Sequence, residues 1–203
     1  MKTIILTIFT ALTLATGIAK TIDTAPAKSE NVTVLNGIKT INKIEVHGNV
    51  QLYISDGTAD EVKVYNKYYA ERALVQGKNG VLSIASYKAE KLVVWVIAAD
   101  LRSISVYDNA DVESFGDLSK IEFEVDLHNN ASAKLNLDVY SASVTVLDEA
   151  KACLCGRANE FAVKTNHPEN IDQKDFNAEH TSKIKSTFAV IVKNNGDEFA
   201  ELR

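Results

Sequence analysis

The feature that most constrains this chain is an alternation of apolar and polar residues with a period of two. Residues 123–127 read Phe-Glu-Val-Asp-Leu, so each apolar side chain is followed by an acidic one or by the end of the run. Successive side chains of a β-strand point to opposite faces, and the pattern therefore predicts strands with one buried and one wet face. The alternation recurs at Ile44/Val46, Val50/Leu52/Ile54, Val62/Val64, Ile104/Val106, Leu135/Leu137, Val144/Val146 and Phe161/Val163.

Four short segments of similar pattern indicate that a strand, a tight corner and another strand recur along the chain. Each segment reads apolar, any residue, Gly/Asp/Asn, Asn/Glu, small apolar, polar, apolar. The small apolar positions are Val50, Ala110, Ala131 and Ala150, separated by 60, 21 and 19 residues. The first separation would correspond to three steps of about twenty residues, and the others to one step each.

A unit of about twenty residues cannot bury its own apolar face, so it must stack on its neighbours. We therefore predict an all-β fold, a β-solenoid in which the four small apolar positions lie one above another inside. Asn79-Gly80 is a hairpin signal, so some antiparallel pairing is expected in the first half of the chain. An antiparallel sandwich is the alternative, because its short strands also recur at regular spacing.

The N-terminus has the layout of a secretory signal. Lys2 supplies a positive charge, residues 4–18 carry none, and the run ends in Gly-Ile-Ala. This predicts a signal peptide over residues 1–19, a flexible leader over 20–37 and one domain over 38–203. A membrane-spanning helix is the alternative, but it usually needs about 20 strongly apolar residues. We expect an exported product with no membrane span after cleavage, in the periplasm or at the cell surface.

Two segments resemble a known family. Residues 41–52 (INKIEVHGNVQL) are similar to the opening of the putative auto-transporter adhesin, head GIN domain family, and residues 101–112 (LRSISVYDNADV) to its central segment. The resemblance implies an exported, right-handed parallel β-helix of bacterial envelopes with an adhesin-like function and no catalytic residues to carry over. At the corners, where the family has glycine, this chain has Asp108, Asn129 and Asp148.

Large side chains recur just before the corners. His47 and His128 share the position that Tyr107 and Leu147 occupy in the other segments. Stacked corners would align these side chains on the outside, where they could bind a glycan or a surface protein. The predicted binding residues are His47, Tyr107, Asp108, His128 and Asp148. The alternative is a surface position that merely accepts large side chains, because a metal site needs three or four converging donors. Neither a metal nor a cofactor is predicted.

Carboxylates at and beside the corners leave a second function open, that of a polysaccharide hydrolase or lyase. Such enzymes place two carboxyl groups about 5–10 Å apart, and here Asp108 would pair with Asp126 or Asp148. However, turns and solvated strand faces favour acids in any case, and no Lys or Arg recurs in register with them. We therefore predict a non-catalytic binding protein, with the enzyme as the alternative.

Cys153 and Cys155 are the only cysteines. Cα atoms two residues apart in a strand are separated by about 6.5–7 Å, so a disulfide between them would distort the strand. A metal would need two further ligands. Free thiols, a disulfide within or between chains, and a metal pair all stay open.

The net charge and the apolar C-terminal stretch indicate which binding partners the chain could have. The net charge is −5 and no Lys/Arg cluster occurs, which argues against nucleic acid as a partner. The apolar stretch at residues 188–192 could cap the end of the fold or contact another copy, so a homo-oligomer is left open.

Overall fold

The structure, a computed structural model, describes residues 32–38, 40–65 and 73–185. The predicted signal peptide at 1–19 and the apolar stretch at 188–192 lie outside the described residues. The described part of the chain is built of β-strands, with one 3-10 turn at Pro168–Asn170. This confirms the all-β prediction.

Thirteen strands of the described residues form one continuous sheet. They are β1 Val32–Val34, β2 Lys43–Gly48, β3 Val50–Asp56, β4 Glu61–Tyr65, β5 Leu74–Lys78, β6 Val81–Ser86, β7 Leu92–Ala98, β8 Ser103–Val106, β9 Asp111–Ser114, β10 Leu118–Leu127, β11 Ser132–Val146, β12 Lys151–Thr165 and β13 Ile171–Lys185. Their order is β1-β4-β7-β3-β9-β11-β10-β8-β2-β6-β5, and β12 and β13 continue from β11. Strand β1 lies within the segment for which a leader was predicted.

The predicted right-handed parallel β-helix is wrong, because the sheet is mixed and curls into a half-barrel. Strands β1/β4, β4/β7 and β5/β6 pair antiparallel. Val50 and Ala110 are 60 positions apart, and the residues between them were expected to supply intermediate steps of the stack. Instead, the Tyr107 N–H donates to the Val46 carbonyl at 2.9 Å, so the first two corners are direct neighbours.

The physical reason is that a period of two is common to parallel and antiparallel strands. The pattern therefore identifies strands without giving their direction. Turn chemistry was more informative: Asn79 and Gly80 have φ values of 52° and 81° and join β5 to β6 in the predicted hairpin. The three antiparallel pairs formed by the described strands lie in the first half of the chain, as expected.

From β8 onward the strands pair in parallel. Asp111 of β9 pairs with Ser132 of β11, which pairs with Lys151 of β12. As a result, the neighbouring small residues Val50, Ala110, Ala131 and Ala150 align across adjacent strands, and each is fully buried. The expected alignment of these four residues is thus present, although the fold class inferred from it is not.

The core follows the alternation in the sequence. In β2, β3, β4, β6 and β7 every second side chain is buried, and these side chains join one hydrophobic cluster with those of the later strands. Its largest members are Phe123 and Phe161, each 2% exposed. The outward side chains of the same strands are left to form the surface on which a binding site could lie.

Candidate functional site

Four corners lie side by side along one edge of the fold. They are residues 47–49, 107–110, 128–131 and 147–150, which join β2 to β3, β8 to β9, β10 to β11 and β11 to β12. Backbone hydrogen bonds hold adjacent corners together, as from the His128 N–H to the Val106 carbonyl at 3.0 Å. The structure therefore brings together residues that are far apart in sequence, from His47 to Ala150.

Each corner contains one residue in the left-handed backbone region. These residues are Gly48, Asp108, Asn129 and Asp148, with φ values of 83°, 62°, 60° and 57°. Asp and Asn adopt this conformation more readily than other residues that carry a Cβ atom. This explains how the chain tolerates Asp108, Asn129 and Asp148 at positive φ.

The same side chains link the corners to one another. Asp108 Oδ2 accepts a hydrogen bond from the Gly48 N–H at 2.9 Å. Asn129 Oδ1 accepts one from the Asp108 N–H at 3.2 Å, and Asp148 Oδ2 accepts one from the Asn129 N–H at 2.9 Å. We call these four residues the corner ladder. Asp108 and Asp148, both predicted as binding residues, thus bond to the backbone of the adjacent corner.

The predicted column of large side chains is present. The rings of His47 and Tyr107 stack with centroids 4.5 Å apart and planes 2° from parallel. The rings of Tyr107 and His128 stack at 4.9 Å and 8°. All three side chains are half-buried on the outer surface, and Leu147 continues the row. We call His47, Tyr107 and His128 the aromatic column. Their faces cover one another, so their polar edges are what the column offers to a partner.

Tyr87 lies beside this site, although no sequence pattern predicts it there. Its side chain is 74% exposed and lies next to Gly48. Desolvation and the neighbouring Asp108 carboxylate raise the pKa of the Tyr87 phenol. Tyr87 follows β6 outside the four similar segments, so no pattern in the sequence linked it to Asp108.

Asp126 is the remaining member of the proposed acid pairs. It lies on β10, two residues before His128, and is half-buried. It pairs in register with Ser105 and Thr145. Nearby, a hydrogen bond to Glu45 raises the pKa of Lys43, and the charge of Asp126 adds to the effect. Asp126 therefore belongs to a mixed-charge strand face rather than to a cluster of acids.

A second group of aromatic residues lies on the outer face of β3, β7 and the end of β9. The rings of Tyr53 and Trp95 are 5.5 Å apart, and those of Trp95 and Phe115 are 5.1 Å apart. We call these three residues the aromatic platform. The sequence did not predict this platform, although alternation within the apolar run 92–99 places Trp95 on the outward side.

The two cysteines are free thiols on the outward side of β12, where both are half-buried. Burial is the main cause that raises the pKa of the Cys153 thiol, and the neighbouring Cys155 adds to it. A register shift between β12 and β13 falls at these residues. Within the described ranges, no three His, Cys, Asp or Glu side chains cluster in a way that could hold a metal ion.

The corner ladder makes a testable prediction about stability. Replacing Asp148 with alanine removes the acceptor for the Asn129 N–H and puts a less suited residue at positive φ. We expect the free energy of unfolding to fall by about 1–2 kcal/mol, as measured by urea denaturation. Asp148→Asn keeps an acceptor oxygen and the tolerance of positive φ, so its stability should be nearly unchanged. Equal losses in both variants would mean that the ladder bond contributes nothing.

Comparison with known proteins identifies the family. The sequence profile of the family described as "Putative auto-transporter adhesin, head GIN domain" matches residues 40–189. The chain belongs to this family. The matched region of the head GIN domain protein contains the corner ladder, the aromatic column and the aromatic platform. Membership of an adhesin family marks it as an exported or surface protein with a binding function.

Solved structures resemble the head GIN domain protein in fold. A protein from Bacteroides fragilis described as a "putative adhesin" superposes with a TM-score of 0.66 at 16% identity, covering 77% of each chain. A "putative adhesin" from Parabacteroides merdae has a TM-score of 0.61 at 12% identity and covers 76% of each chain. A third, from Parabacteroides distasonis, has a TM-score of 0.55 at 16% identity, covering 77% of this chain and 79% of its own.

No curated protein sequence matches the chain. Among the described residues, no helix has the length and apolar character needed to cross a membrane.

Proposed function

We propose that this head GIN domain protein is a non-catalytic adhesin-like binding module. Residues 1–19 direct its export to the periplasm or the cell surface, residues 20–37 are a leader whose strand β1 joins the sheet, and residues 38–203 form the binding domain. The partner is a glycan or another surface protein. The observation that carries the proposal is the aromatic column, which presents polar ring edges from three adjacent strands on the outer surface.

The column is suited to binding because it is held in place before a partner arrives. Each ring is stacked on its neighbour, and the corner behind it is fixed by backbone hydrogen bonds and by the corner ladder. Preorganised side chains lose little conformational entropy on binding. The imidazole and phenol edges offer hydrogen-bond donors and acceptors at intervals of about one strand spacing, 4.8 Å.

The engagement of the corner acids supports binding over catalysis. Asp108 and Asp148 each use a carboxylate oxygen to accept a backbone N–H of the adjacent corner. A glycosidase needs one carboxyl group to donate a proton and a second to act as base or nucleophile at the sugar. Acids that hold the turns together have a sufficient structural role, so the polysaccharide-active alternative gains no support from them.

The proposal is tested with the double variant Tyr107→Ala/His128→Ala. We expect its binding to a glycan array, to immobilised surface proteins or to bacterial cells to fall by about tenfold or more, since aromatic side chains dominate such contacts. The matched control is Tyr140→Ala, which removes a tyrosine that is 58% exposed and lies outside the column. Unchanged binding of a folded double variant would rule out the column as the binding surface.

A further inference from the structure

The aromatic platform is an exposed apolar surface that the core does not require. Phe115 is 66% exposed, and Tyr53 and Trp95 are half-buried on the outer side of strands whose inner side chains are fully buried. Cross-strand aromatic pairs stabilise a sheet, which accounts for Tyr53 and Trp95 as neighbours. Cross-strand pairing does not account for Phe115, because this residue follows β9 and extends the cluster into solvent. Contiguous exposed aromatic residues mark binding surfaces.

A polar groove continues from the platform across the next strands. Tyr53 pairs in register with Glu113, which pairs with Lys134. The groove has a volume of about 640 Å³. Its polar lining includes Gln51, Asp111, Glu113, Ser132, Lys134 and Lys151. One surface therefore offers an aromatic end and a long polar end with many donors and acceptors.

Most of the charges along this surface are paired. Lys134 lies 3.3 Å from Glu113, and Lys91 forms an ion pair with Asp111. On the other side of the platform, Lys63 lies 2.9 Å from Glu61. Paired charges leave little net field to attract an ion, yet they hold hydrogen-bonding groups in fixed directions. The surface is thus complementary to a neutral ligand that is rich in hydroxyl groups.

We propose that the aromatic platform and the polar groove together bind a neutral glycan. The C–H face of one pyranose ring packs on the Trp95 indole, because the negative face of an aromatic ring attracts weakly positive C–H groups. The hydroxyl groups of the following sugars bond to Glu113, Lys134 and Asp111. A sugar unit is about as long as the spacing between strands, about 4.8 Å, so successive units lie over successive strands.

This inference rests on the proposed binding function and names a ligand class for a surface separate from the aromatic column. Trp95 is the only tryptophan in the chain, so its fluorescence reports on this surface alone. The mature protein is titrated with neutral cello-, manno- and xylo-oligosaccharides, and with polygalacturonate as an anionic comparison. We expect a saturable change in fluorescence with at least one neutral series and none with polygalacturonate.

Variants separate this surface from the aromatic column. The Phe115→Ala variant keeps the Trp95 fluorophore, and its affinity for the neutral glycan should fall at least tenfold. The Trp95→Ala variant should no longer be retained by a gel that contains the neutral glycan in affinity electrophoresis. Tyr107→Ala/His128→Ala should leave the fluorescence titration unchanged. Three outcomes would overturn the inference. The fluorescence could respond only to polygalacturonate, it could respond to no oligosaccharide, or the Phe115→Ala variant could respond as strongly as the unaltered protein. If the double variant still loses cell binding in that case, the proposed function stands while this ligand assignment fails.

Discussion

Replacing Gly156 with alanine is expected to lower the free energy of unfolding by about 3 kcal/mol or more. Gly156 has φ of +96°, a conformation that residues with a side chain rarely adopt. A Cβ atom there would lie 2.1 Å from the Leu137 carbonyl oxygen. Leu137 is the register partner of Gly156, so alanine would force β11 and β12 apart at the centre of their parallel pairing.

The measurement is urea denaturation followed by circular dichroism, with Gly116→Ala as the control. Gly116 also has positive φ, at +83°, but a Cβ there would meet nothing within 4 Å. Replacing Gly116 with alanine should lower the free energy of unfolding by only about 1 kcal/mol, because backbone strain is the sole cost. Equal losses in the two variants would show that the backbones of β11 and β12 do not approach closely at Gly156.

Truncating Phe123 to alanine is expected to have a comparably large effect, a loss of about 3–5 kcal/mol. Phe123 is 2% exposed and is among the largest side chains of the core. Its removal takes away transfer free energy and leaves a cavity that surrounding strands, fixed by their ladder hydrogen bonds, cannot readily fill.

Ile121, two residues earlier in β10, provides the matched control. It is 79% exposed, so Ile121→Ala should change the free energy of unfolding by no more than about 0.5 kcal/mol. Both variants are compared with the unaltered chain by thermal and urea unfolding. A Phe123→Ala loss as small as that of Ile121→Ala would contradict the placement of Phe123 in the core.

The candidate site was partly predictable. Aligning the four similar segments placed His47, Tyr107 and His128 in equivalent positions, and the structure stacks their rings. The corner ladder was not foreseen, because the alignment gives equivalent positions but does not show that a corner side chain accepts a backbone N–H of the adjacent corner. The aromatic platform was missed because Tyr53, Trp95 and Phe115 lie outside the four similar segments, so no alignment connected them.

The sequence by itself determined the local structure. Alternation decided which residues form strands and which of their faces is buried, since side chains of a strand point alternately to its two sides. Asn79-Gly80 and the Asp and Asn residues at the corners decided where the chain turns, since these residue types tolerate positive φ.

Apart from the β5/β6 hairpin and the alignment of the four corners, only tertiary structure decided which strands are neighbours and in which direction they run. Alternation satisfies a parallel and an antiparallel ladder equally well, so it could not separate a parallel β-helix from the mixed sheet that forms. The choice depends on which long-range pairings bury the apolar faces together. In this chain, that choice puts Val46 beside Tyr107 and arranges the intervening strands in both parallel and antiparallel pairs.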